Sequence, residues 1–163
     1  MFITVQSLSI ITTGEQRSCQ GTLTLELFGP NSDIPCVSHP VHLGAITEGT
    51  VLPLGFRLDT KRCASGTVRL LATLTVECPA GWLQRWWRKV ETIRQDIAGG
   101  LQILGPADAG RSVEMILRVP EGVVLIGQRD MEADPIIDSD LGEPRLALAA
   151  GDPNGSLTLA VST

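Results

Sequence analysis

The longest alternation of apolar and polar positions in the chain runs from Val68 to Cys78. Val68, Leu70, Ala72, Leu74, Val76 and Cys78 share one face, while Arg69, Leu71, Thr73, Thr75 and Glu77 share the other. A two-residue period is that of a strand buried on one side. The same rhythm sets Leu23, Leu25 and Leu27 against Thr22, Thr24 and Glu26, and returns in Leu52, Leu54, Phe56 and Leu58. Residues 2–11 are rich in β-branched and apolar types and predict a first strand, ended by Thr13-Gly14-Glu15-Gln16. Gly29-Pro30-Asn31-Ser32-Asp33 breaks the second strand. A less regular strand over Val37–Ile46 carries Pro40, which assigns it to an edge or a late start. Strands joined by short turns, with no helix between them, predict antiparallel pairing and a β-sandwich.

After Pro79-Ala80-Gly81 the period changes. Leu83, Trp86, Val90, Ile93 and Ile97 follow alternating steps of three and four residues, which predicts one amphipathic helix over about 81–98, stopped by Gly99-Gly100. Alternation resumes with Val113, Met115, Leu117 and Val119, and Val123–Gln128 reads as a further strand. Leu146 and Leu148, a turn around Asp152-Pro153-Asn154-Gly155, and Leu157, Leu159 and Val161 predict a closing hairpin. The expected fold is therefore mostly β: an antiparallel, sandwich-like architecture with one helix. Residues 1–163 form one β-rich domain. Its subregions are a sandwich half over 1–79, the helix over 81–98, and C-terminal strands with the hairpin over 111–163. No fixed-period repeat is present.

Composition agrees with a packed domain: 43% of residues are hydrophobic and 19% charged. A chain of this size buries about 68–70% of its unfolded surface, so it needs no metal or disulfide staple. Cys19, Cys36, Cys63 and Cys78 include no C-x-x-C pair and read most simply as small buried hydrophobes of a cytosolic protein. Their even number also admits disulfides outside the cell, with three connectivities that spacing does not separate. Apolar runs such as Val123–Ile126 fall far short of the ~20 residues of a membrane span. The first residues read as a strand and not as a secretion signal. The expected location is the cytoplasm or an assembled particle.

The net charge of −5 gives no support to nucleic-acid binding. Its distribution is uneven. From Glu114 onward there are nine acidic residues against three arginines, whereas 82–98 carries Arg85, Arg88, Lys89 and Arg94 against Glu91 and Asp96. Such asymmetry lets the two regions attract a partner differently, or attract each other between copies.

Three groups of residues could carry chemistry. Trp82, Trp86 and Trp87 are the chain's only tryptophans. On a helix Trp82 and Trp86 stack on one face and close the core. Trp87 is rotated about 100° from Trp86 and, with Arg85 and Arg88, forms the candidate partner-binding surface, since Trp and Arg dominate interface hot spots. Cys36, His39 and His42 make C-x-x-H-x-x-H. Their steps of three on a strand send neighbouring side chains to opposite faces, and no fourth ligand is evident, so they are not assigned a metal. The acidic stretch 130–143 offers Asp134, Asp138 and Asp140 as weak candidates for Ca²⁺ without the full EF-hand pattern. In this one loop it resembles the Asp-rich loops of C2-type β-sandwiches. The resemblance implies Ca²⁺ binding through a loop and transfers no individual residue.

No nucleophile elbow is present, and Gly99, Gly100 and Gly105 follow the expected helix, so they cannot offer phosphate to its start. No cofactor is expected. The reading is a non-enzymatic structural or assembly protein, acting through protein partners or self-association. The alternatives are a ligand- or Ca²⁺-binding module using 130–143, and an enzyme whose site is assembled from distant residues.

Overall fold

In the computed structural model, the described residues are 1–13, 18–63, 66–79, 92–118, 127–128 and 153–163; for 79, 92–95, 127 and 128 this covers the backbone alone. They form nine strands: β1 (Phe2–Ile10), β2 (Cys19–Phe28), β3 (Pro35–Ile46), β4 (Val51–Asp59), β5 (Val68–Pro79), β6 (Thr92–Leu104), β7 (Ser112–Arg118), β8 (Gly127–Gln128) and β9 (Gly155–Ser162). Two 3-10 turns, Thr60–Cys63 and Pro106–Asp108, are the only helical pieces among the described residues. All ladders between these strands are antiparallel, and they run in one path, β3-β2-β5-β6-β7-β9-β1-β4, with β8 paired to β6. The sheet curls around its apolar face. Mostly β, antiparallel architecture is what the alternation required.

The alternation maps onto burial strand by strand. Leu23, Leu25 and Leu27 of β2 face inward with Leu70, Ala72, Leu74 and Val76 of β5. From the other half of the path come Ile3, Val5, Leu8 and Ile10 of β1, Leu157, Leu159 and Val161 of β9, and Met115 and Leu117 of β7. The step from Val5 to Leu8 breaks the period of two. A bulge between Val5 and Ser7 absorbs it, present against both neighbours of β1. All these side chains belong to one core. Burying each Leu or Ile contributes about 1.5–3 kcal/mol.

The expected helix over 81–98 is corrected where it can be seen. Residues 92–98 lie in β6, paired to β5 from Thr92 opposite Pro79 onward; 80–91 lie outside the described residues. The physical reason is a shared spacing. Ile93 and Ile97 are four apart, and four residues return a side chain to the same face in a strand as well as in a helix. Gly99 is likewise no stop signal. It sits inside β6 opposite Leu117, where an added Cβ would lie 2.9 Å from Leu117 Cδ2 and 3.0 Å from Met115 Sδ. Among the described residues, β6 pairs with β7 at Ala98 with Arg118 and Gly99 with Leu117.

The cysteines are corrected too: they are not free thiols. Cys19 bonds to Cys78 and Cys36 to Cys63. The β2–β5 register, Gln20 opposite Glu77, sets Cys19 and Cys78 side by side with Cα atoms 4.3 Å apart. Sequence separations of 59 and 27 make both pairings long-range. Disulfides persist in oxidising surroundings, so the pairings point to a non-reducing setting. No helix among the described residues is long and apolar enough to cross a membrane. β9 has β1 and β7 as neighbours; Leu146 and Leu148, expected to be its hairpin partner, lie outside the described residues.

Candidate functional site

Antiparallel order sorts the connections by end. β1, β3, β5 and β7 finish at the same end, and the segments that follow them in sequence are 11–18, 47–50, 80–91 and 119–126. The passage from β8 to β9, 129–154, also reaches that end. The sequence singled out 80–91 and 130–143 for their tryptophans and acids, and both connect strand ends on this side of the sheet.

The frame that carries them is tightly bonded. Asn154 is buried and ties the start of β9 to the ends of β1 and β7: its carbonyl accepts from the N–H of Ile11 at 2.8 Å and of Thr12 at 3.0 Å, and its own N–H donates to Leu117 O at 2.9 Å. Gly155 follows because nothing larger fits; a Cβ there would lie 2.5 Å from the backbone oxygen of Ser9. The 47–50 turn is fastened by Gly49 N–H to Ile10 O at 2.8 Å and by the Thr12 hydroxyl to Glu48 Oε1 at 2.6 Å. Ile11 and Val51 stand exposed beside it.

Two features converge at the root of 80–91. Pro79 and Thr92 face each other across the β5–β6 ladder, and the preceding residue, Cys78, is tied to Cys19. On the other side of β6, Gln128 pairs with Thr92 and Gly127 with Ile93. The acidic stretch therefore begins two residues from a strand that touches the base of the tryptophan-bearing connection. Opposite charges in the sequence leave the sheet from neighbouring points.

The candidate residues themselves stand as follows. Trp87, Arg85 and Arg88 lie outside the described residues, as do Asp134, Asp138 and Asp140. What the structure supplies for them is the placement of the strand ends they connect. Cys36 of the C-x-x-H-x-x-H group is consumed by its disulfide. His39 packs on Phe56 of β4, ring centroids 5.1 Å apart, whereas His42 meets Thr22 on β2, Nδ1 to Oγ1 3.3 Å. These partners take the two rings to opposite faces of β3. Among the described residues no three His, Cys, Asp or Glu side chains gather as a metal site. Sequence reasoning missed Asn154 and Gly155 as organisers of this end. Asn-Gly was visible as turn chemistry, but its bonds reach the end of β1, more than a hundred residues away, and β7, which ends at Arg118.

No protein-family model matches the chain, and no curated protein sequence matches it significantly.

Proposed function

We propose that this chain is a non-enzymatic interaction protein that works by protein–protein contact in a larger complex or particle, with Trp87, Arg85 and Arg88 at the contact surface. The observation that carries the reading is the root of 80–91: a segment with all three tryptophans and three cations joins two strands whose ends are paired and disulfide-backed. A rigid base lowers the entropy cost of presenting such a segment to a partner. Trp and Arg are the residue types that supply most binding energy when a partner covers them. The finer fold reading, sandwich-like layers of β3-β2-β5-β6 and β7-β9-β1-β4, is supported by the core that their inward side chains share. Two disulfides favour an oxidising compartment, or a particle exposed to one, over the reducing cytoplasm.

The test is the assembly state. Light scattering behind size exclusion should show a self-associated species, or pull-down from the native source a stoichiometric protein partner. Trp87→Ala, with Arg85→Ala and Arg88→Ala, should loosen that association at least about tenfold while the melting temperature stays near wild type. An unchanged assembly state in the triple variant refutes the reading.

A second reading has its own support. The β8–β6 pairing sets Gln128, two residues before 130–143, opposite Thr92 at the base of the basic segment, and carboxylates following it could either neutralise that segment or hold Ca²⁺. Calorimetric titration with Ca²⁺ separates these: heat and a thermal shift that vanish in Asp134→Asn/Asp138→Asn/Asp140→Asn favour the cation.

A further inference from the structure

The path of strands has two ends, β3 and β4, and the chain runs from one to the other through a single turn. No ladder joins them among the described residues. Both edges resist pairing: β3 carries Pro40 and β4 carries Pro53 and the left-handed Gly55, φ 68°. Between them, among the described residues, runs a seam where the core is incompletely covered. Val37, Val41 and Leu43 on β3 and Leu52, Leu54 and Phe56 on β4 pack against the core yet remain half-buried, whereas the inward residues of β2 and β5 are sealed.

Three fasteners cross the seam. At one end is the turn, with Thr47 Oγ1 and Thr50 Oγ1 2.8 Å apart. Midway is the His39–Phe56 ring contact. At the far end is Cys36–Cys63, which ties the start of β3 to the 3-10 turn that follows β4. Cys36 is the extra residue of a β-bulge, between Val37 opposite Leu27 and Pro35 opposite Phe28. Bulges re-aim side chains, and this one turns a cysteine around the sheet edge. The second disulfide, Cys19–Cys78, crosses no seam: it joins neighbouring strands already held by a ladder, and both of its cysteines are buried. Cys36 is only half-buried.

We propose that Cys36–Cys63 is a reducible clasp on this seam, whose opening uncovers the apolar side chains of β3 and β4 while the sheet and Cys19–Cys78 persist. The reductant is a dithiol. One of its thiolates attacks Cys36 Sγ, the disulfide breaks, and Cys63 leaves as a thiolate that takes a proton. The second thiol of the reductant then displaces Cys36. Two electrons reach the protein, which ends with two thiols, and the reductant ends as a cyclic disulfide. β3 stays paired to β2 along its length, so the edge swings without leaving the sheet.

The experiment is graded reduction with dithiothreitol under native conditions, followed by alkylation, mass mapping of the modified cysteines, circular dichroism and binding of an anilinonaphthalene dye. Cys36 and Cys63 should be labelled on the order of tenfold faster than Cys19 and Cys78, because attack rates follow access. Dye fluorescence should rise with that labelling, strand dichroism should hold, and reoxidation should reverse both. Cys36→Ser/Cys63→Ser should bind dye without reductant. Equal or reversed labelling order, dye fluorescence that ignores the labelling, or loss of strand dichroism at that stage would overturn the proposal. The labelling order decides even if the double variant does not fold.

Discussion

The described connections at the two ends of the sheet are fastened by different kinds of contact. At the end where β2, β4 and β6 finish, the described connections satisfy themselves. Arg69 of β5 folds over Phe28, its guanidinium bonded to the carbonyls of Gly29 and Ser32 and 3.5 Å from Asp33, so one side chain holds the whole β2–β3 turn. Thr60 closes onto Met1 O by both its N–H and its hydroxyl, and Gly105 N–H donates to Asp108 Oδ2 at 2.9 Å. At the other end the described bonds lie at the strand roots and in the 47–50 turn. Asn154, Gly155, Cys19 and Cys78 fix strand ends that the sequence joins through 80–91, with its three tryptophans, and through the acidic stretch 130–143. The proposed contact through Trp87, Arg85 and Arg88 would thus draw on a rigid base, as binding loops on a strand scaffold do.

The sharpest way to break the comparison is to remove the staple at the candidate site. Cys19→Ala/Cys78→Ala should lower the free energy of unfolding by about 4 kcal/mol, and Cys36→Ala/Cys63→Ala by about 3.5, since the first closes the longer loop. Urea denaturation of both variants measures the order; a smaller loss for the first would show that the site end does not depend on its staple.

Gly155→Ala comes next, at about 2–3 kcal/mol in the same assay, because the clash is with backbone and cannot be relieved by a rotamer change. Gly99→Ala should cost less, about 1 kcal/mol, as the clash there is with the movable side chains of Leu117 and Met115. Equal costs would refute the distinction.

At the self-satisfied end, Arg69→Ala should lose about 1–2 kcal/mol through the carbonyls it leaves behind. Asp33→Asn should change nothing measurable, for that carboxylate is fully solvated. Trp87→Ala is likewise expected to leave stability unchanged, its consequence being in association alone.

Much of this architecture was legible in the order of residues. The two-residue rhythm of Leu70–Val76, Leu23–Leu27 and Leu157–Val161 records a sheet buried on one face, because adjacent side chains on a strand must point opposite ways. Pro40 marked an edge for the same local reason: it has no N–H to give. Pairing decided the rest. Ile93 and Ile97 fit helix and strand alike until β5 claimed them, and Gly99 looked like a stop until the approach of Leu117 explained it. Four cysteines without a motif became two bonds only when the chain brought Cys19 beside Cys78 and aimed a bulged Cys36 at Cys63. Local sterics and hydrophobic period are written residue by residue; which strand lies beside which is a property of contacts many residues apart, and no single stretch of sequence carries it.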